Sequence, residues 1–320
     1  MEDNKKKRIS IVAILGIVIL AIIAFCIYRL VDWSARSIDF NTDDIEEGEF
    51  DLEYLDMYVY PSEEEFPNHI VDDTEDILIL GNVYANNYGK KKSIVNILKK
   101  KLDANIIDLS IDKSMISCEG PNIGSGRESG SFYHLVRELG MQNPDALYRT
   151  YWSELFDSED RYYSFLETFK TVDLNKIDTV MIMYNLVDYY TGKAAIAITE
   201  DDPRGVRGSL EQGLTYLNEN YPHLNIVIIS PYPSVAMGSD GELVYSSSTD
   251  YGLLNSSYYF ENIYFVATKY CTSFVDNYNY GINESNITDY VENTLLTDKG
   301  IEFLGNHIIT FLDKKGATNY

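Results

Sequence analysis

The sequence predicts an α/β protein in which a parallel five-stranded sheet carries helices on both faces, preceded by one membrane-spanning helix. Three observations carry this reading. From Asp76 onward, short apolar runs alternate with segments of helical periodicity, the pattern of a doubly wound sheet. The runs are close to continuous, as in Ile77 to Leu80 and Asp178 to Met183, which implies strands buried on both faces. Ahead of them, Ile9 to Tyr28 contains no charged residue.

That first run is long enough to span a hydrocarbon core of about 30 Å as a helix. Lys5, Lys6, Lys7 and Arg8 precede it, so the positive-inside rule leaves the N-terminus in the cytoplasm and the rest of the chain outside the cell membrane. The run ends in AFCIYRL, without the small-residue pattern of a cleaved signal peptide. The organisation expected is a basic tail over 1–8, an uncleaved signal-anchor helix over 9–30, an acidic extracytoplasmic stalk over 31–75 and a folded domain over 76–320. Between Arg36 and Lys90 there are sixteen Asp and Glu residues and no Lys or Arg. Self-repulsion keeps such a stalk extended. Within it Phe50, Leu52 and Tyr54 alternate with acids, which suits a short edge strand or docking segment.

In the domain, Ile77 to Leu80 is the first strand, closed by a turn at Gly81 and Asn82. Ser93 to Leu102 has helical spacing, Asn105 to Leu109 is a second strand, and Gly120 to Gly130 is a loop. Phe132 to Leu139 and Glu159 to Phe169 read as helices, and Asp178 to Met183 as the third strand. Arg207 to Asn218 is a helix stopped before Pro222, followed by a strand over Asn225 to Ser230. Pro231 to Asp250 reads as a loop and Tyr251 to Tyr270 as a long helix. Ser273 to Asp276 is the last strand, and Thr297 caps a terminal helix reaching Leu312.

A formal charge of −24 argues against nucleic acid, whose binding rests on basic groups that neutralise phosphates. The chain holds 27 Tyr, a residue with a stacking face and a hydroxyl that stays wet. A genomic composition bias explains the same count. Neither the three Cys nor the four His have metal-ligand spacing, and the acids from Asp39 to Glu47 do not match a calcium loop. No metal or cofactor is expected. Cys118 and Cys271 either pair outside the cell or stand as separate buried thiols.

In a sheet of this kind ligands bind beyond the carboxyl ends of the strands. Gly81, Asn82 and Tyr84 follow the first strand, and Asn185, Asp188 and Tyr189 follow the third. Glu292 precedes the terminal helix. These residues are the expected site: Gly81, Asn82, Tyr84, Asn185, Asp188 and Tyr189 for ligand binding, and Asp188 and Glu292 as the weak candidates for acid–base chemistry. The segment GSGRESG lacks the lysine of a phosphate loop and follows no apolar strand.

The order of elements from Asp76 resembles the SGNH or GDSL hydrolases, which implies a flavodoxin-like, three-layer α/β/α fold. The resemblance is one of arrangement. Where that family has Gly-Asp-Ser, ILILGNVYANN keeps Gly81 but has Asn82 and Val83. The second block's Gly is missing from IIDLSIDKS, where Lys113 falls closest. Of Gly-x-Asn-Asp, only Asp188 stands at its place, with Val187 where Asn belongs. Of Asp-x-x-His, ENTLLTDKG puts Glu292 and Leu295 at the two named positions. His69, His134, His223 and His307 all lie elsewhere, and His307 reads as a helix-face residue.

Loss of the nucleophile, its base and two oxyanion donors together removes the ester chemistry that the resemblance implies. The expectation is therefore a membrane-anchored, catalytically degenerate domain of this type that binds cell-surface carbohydrate through Tyr, Asn and carboxylate groups. Two alternatives stand beside it. One is an active esterase or O-acetyl hydrolase on polysaccharide using Asp188 or Glu292 as base. The other is a structural partner in envelope assembly. A Ser or Thr hydroxyl within hydrogen-bond reach of a carboxylate or His, with N–H groups facing it, would favour the esterase.

Overall fold

A computed structural model describes residues 54–60, 66–71, 74–85, 92–118, 130–143, 152–237, 241–249, 254–292 and 294–317. The anchor and most of the stalk lie outside these residues. So do the acids from Asp39 to Glu47, and most of the glycine-rich loop. Among the described residues no helix is long and apolar enough to cross a membrane.

The central sheet contains β1 (Glu75–Gly81), β2 (Ala104–Asp108), β3 (Thr179–Met183), β4 (Asn225–Ile229) and β7 (Ser273–Val275), in the order β2-β1-β3-β4-β7. Every pairing is parallel. Continuous burial along β1 and β3 arises because successive side chains enter different cores. Ile77, Ile79, Met181, Met183, Val227, Ile229 and Val275 pack with helices α1 (Ile94–Lys101) and α9 (Asp298–Ala317). Leu78, Leu80, Val180, Ile182, Ile226, Ile228 and Phe274 pack on the opposite face. They meet α2 (Phe132–Gly140), α4 (Glu159–Thr171), α6 (Val206–Asn220) and α7 (Ser256–Lys269). The order and the two layers are those of a flavodoxin-like fold.

The helix ends follow their sequence signals. Ser93, Ser158 and Asn255 accept hydrogen bonds from the first turns of α1, α4 and α7, and Thr297 Oγ1 accepts from Gly300 N–H at 3.1 Å. Helix α7 starts at Ser256, five residues later than expected, because Asn255 caps it there. The expected loop from Pro231 to Asp250 contains a hairpin of β5 (Val235–Met237) and β6 (Leu243–Tyr245). Short elements absent from the sequence reading are α3 (Trp152–Leu155), α5 (Val187–Tyr190), α8 (Ile287–Tyr290) and the hairpin of β8 (Val291–Glu292) with β9 (Leu295–Leu296). Such pieces are too short to show a period.

The stalk expectation needs correction at its C-terminal part. The compact unit runs from Leu52 to Tyr320, so the domain begins well before Asp76. Met57 forms an antiparallel bridge with Phe274 on β7, donating at 2.9 Å and accepting at 2.8 Å. Leu55 N–H donates to Asp276 Oδ2, and Tyr58 stacks on Phe311 with ring centres 4.3 Å apart. The segment thereby covers part of the edge of β7, which would otherwise offer unpaired backbone groups. Self-repulsion does not keep it extended in solvent, because Asp56 finds partners on the domain.

Candidate functional site

Gly81 ends β1 where the backbone comes closest to β3. A Cβ there would lie 2.0 Å from the Met183 carbonyl oxygen, so only glycine fits. The chain then turns at Asn82, which is fully buried. Its Nδ2 donates to the carbonyls of Ser114 at 3.1 Å and Asn185 at 3.5 Å, and its Oδ1 accepts from the N–H groups of Asn185 at 3.0 Å and Tyr84 at 3.2 Å. One side chain joins the ends of β1 and β3 to the loop after β2.

Asn185 continues the junction. Its Nδ2 donates to Tyr232 Oη at 3.0 Å and to the Thr294 carbonyl at 3.3 Å, while its Oδ1 accepts from Leu186 N–H. Tyr232 Oη also donates to the Thr294 carbonyl at 2.9 Å. Thr294 adopts φ 70°, so the β8–β9 turn presents that carbonyl inward at the cost of a left-handed residue. Tyr84 packs edge-on against Tyr232 with ring centres 4.9 Å apart, and its hydroxyl accepts from Asn277 Nδ2. Burial pushes both phenols well above their ordinary range, so they stay protonated.

Asp188 lies on α5 rather than at an open mouth, and it is 2% exposed. Its carboxylate accepts from Ile116 N–H, Ser117 N–H and Ser117 Oγ at 2.9, 2.9 and 2.5 Å. Burial raises its carboxyl above the usual value, with those bonds opposing the shift. A serine hydroxyl does therefore meet a carboxylate here, the arrangement that would favour the esterase reading. The adjacent N–H groups, however, aim at the carboxylate itself, and Ser117 is fully buried. Tyr189 is buried too, its hydroxyl donating to the Thr249 carbonyl at 2.7 Å.

Glu292 sits on the β8–β9 hairpin and is exposed. It is not brought to Asp188, whose bonds go to the loop after β2. Lys113 does not enter the junction either; its Nζ donates to the carbonyls of Ser153 and Phe156. Cys118 and Cys271 are not joined to each other, and Cys271 is exposed rather than buried. An open cleft of about 690 Å³ runs along the β2 edge between Lys99 and Arg161, away from these strand ends.

Three residues outside the expected site, His307, Asn277 and Asp56, belong to the same interior. His307 is 3% exposed, and its ring lies between Asn277 Oδ1 at 2.7 Å and Asp56 Oδ2 at 3.2 Å. Tyr280 stacks on it at 3.5 Å between ring centres. His307 thus lies on the terminal helix as expected, on that helix's buried face. Asp56 and Asn277 carry no motif, so only an acid in the docking segment hinted at this.

Outside the junction, half-exposed aromatic rings form a strip. Tyr54 meets Tyr280 at 5.2 Å, Tyr280 meets Phe303 at 5.1 Å, and Phe303 meets Tyr290 at 4.9 Å between centres. Lys299 Nζ lies 4.5 Å from the Tyr290 ring centre.

No family model matches the chain, and no curated protein matches it. Solved structures do. One superposes with a TM-score of 0.53 at 13% identity, covering 75% of this chain and 97% of its own. A GDSL-like lipase from Bacteroides ovatus matches at 13% identity over 76% of this chain and all of its own, with a TM-score of 0.44. A lipase/acylhydrolase from Enterococcus faecalis gives 13% identity, 76% and 97% coverage, and a TM-score of 0.44. At these identities the likeness is one of fold alone, a parallel five-stranded sheet in the order β2-β1-β3-β4-β7 between two layers of helices.

Proposed function

We propose that this chain is a membrane-anchored, extracytoplasmic protein of SGNH-hydrolase-like fold that has lost serine-based ester hydrolysis and binds cell-surface carbohydrate. The observation that carries the reading is the closed junction at the strand ends. Asn82, Asn185, Tyr84 and Tyr232 bond to one another and to backbone groups where a substrate would enter. Val83 and Leu295 stand where a nucleophile and a base are needed, and neither side chain has a proton to move. Asp188 does meet the Ser117 hydroxyl, but that hydroxyl is fully buried and the neighbouring N–H groups donate to the carboxylate rather than facing a substrate oxygen.

The carbohydrate part rests on the strip of Tyr54, Tyr280, Phe303 and Tyr290. The part-exposed rings at its two ends, Tyr54 and Tyr290, pair an aromatic surface with a hydroxyl, a combination suited to sugar rings and their hydroxyls. The anchor rests on the uncharged run from Ile9 to Tyr28 and the basic cluster before it. The test uses the detergent-solubilised full chain on a glycan array and on acetylated xylan. We expect retention on neutral glycans that Tyr54→Ala with Tyr290→Ala abolishes, and no acetate release that depends on Asp188 or Glu292. Release abolished by Asp188→Ala with Glu292→Ala overturns the degenerate reading, and an array blank with folded protein overturns the carbohydrate reading.

A further inference from the structure

Outside the strand-end junction, one cluster brings a nucleophile and a base together. Cys118 Sγ lies 3.4 Å from His134 Nδ1 and 3.2 Å from Ser131 Oγ, and Ser131 Oγ lies 3.0 Å from His134 Nδ1. Thiol, imidazole and hydroxyl form a closed triangle at the N-terminus of α2. Cys118 is 2% exposed and Ser131 1%, while His134 is half-buried.

The surroundings fix the triangle from several sides. Cys118 N–H donates to the Pro203 carbonyl at 2.8 Å. The Ile116 carbonyl accepts from Phe132 N–H and from Ser209 Oγ, so the loop after β2 is tied to α2 and α6 together. Ser131 occupies the cap position of α2 but makes no capping bond. Its hydroxyl is turned to the thiol and the imidazole instead. Spacing of three residues places Ser131 and His134 on one side of the first turn.

We propose that Cys118 is an acyl-accepting nucleophile, with His134 as its general base and Ser131 as a positioning residue. The imidazole stands within reach to take the thiol proton, the pairing that activates a nucleophile. In the step, the Cys118 S–H proton passes to His134 Nδ1 and the sulfur attacks the carbonyl carbon of an activated ester or thioester. The bond from that carbon to the leaving oxygen or sulfur breaks, and His134 Nδ1–H protonates the leaving group. A thioester on Cys118 and a free alcohol or thiol result. A paired base that returns its proton serves this chemistry best, because an alkoxide leaves poorly without one. Disulfide exchange and alkylation expel groups that need no such proton.

The inference does not rest on carbohydrate binding. The test incubates the detergent-solubilised full chain with p-nitrophenyl acetate and with an acetyl thioester, and maps acetyl groups by peptide mass spectrometry. We expect hydroxylamine-labile acetylation of Cys118 ahead of the exposed Cys271. His134→Ala lowers its rate on the order of 100-fold, the scale of general-base catalysis. His134→Gln, which keeps volume without the base, gives a similar loss and guards against a folding artefact. Acetylation of Cys271 alone in folded protein overturns the proposal, as does equal acetylation of Cys118 with and without His134. Acylation is read on Cys118 itself and carbohydrate binding on the glycan array, so the two readings fail separately.

Discussion

His307 Nε2 lies 3.2 Å from Asp56 Oδ2, a buried contact between a terminal-helix residue and a residue of the segment that precedes the first strand, 251 positions away. Through Asn277 the same ring reaches Tyr84 at the end of β1. Hence the docking segment, the terminal helix and the strand-end junction share one hydrogen-bonded path.

Removing Asp56 should break that path. Asp56→Ala leaves His307 Nε2 and the Asp276 N–H, which donates to Asp56 Oδ1 at 2.9 Å, without their acceptor. We expect a loss of about 3 kcal/mol in urea unfolding, the scale of orphaned buried donors. A loss indistinguishable from an exposed Asp→Ala change would mean that the segment is not docked.

Asn82 separates a structural from a catalytic role. Asn82→Asp keeps the shape but turns a carboxylate oxygen toward the Ser114 and Asn185 carbonyls in place of the donating Nδ2. Like poles then face each other in a dry site, so we expect destabilisation of about 2 kcal/mol or more by thermal or urea unfolding. Restored stability, or a gain of ester hydrolysis, would show that the position tolerates an acid.

Asp188 makes a pH prediction whose direction is not the usual acid-denaturation one. Burial raises its folded value above the ordinary 3.8, so its contribution is fully present below that value and is lost as pH rises through the folded value. The cost of Asp188→Asn should therefore be larger near pH 4 than near pH 7. Equal costs in urea unfolding at the two pH values would remove the shift.

His223 acts in the opposite sense. Burial holds its value below the ordinary 6.5, opposed by the Leu174 carbonyl and aided by His69, whose ring stacks on it at 4.4 Å between centres. Its contribution is present above about pH 6.5 and is lost as pH falls through the folded value. Between about pH 7.5 and pH 5, His223→Gln should lose less melting temperature than the natural chain does. Parallel pH curves for the two proteins would contradict this.

Five strands, their parallel pairing and the major helices were legible in the sequence, because burial on both faces and helical period are written in neighbouring residues. Gly81, Asn82 and Asn185 do follow the ends of β1 and β3, since turns follow apolar runs, whereas Asp188 lies on the short helix α5. What those residues do depends on contacts between distant parts of the chain. Asn82 meets Ser114 and Asn185, Asp188 meets Ser117, and His307 meets Asp56 across separations that no local pattern spans. The same holds for Cys118 and His134, which the sequence left as a separate thiol and an unplaced histidine. A side chain's chemistry depends on which partners the fold brings within about 3 Å, and periodicity is silent about that.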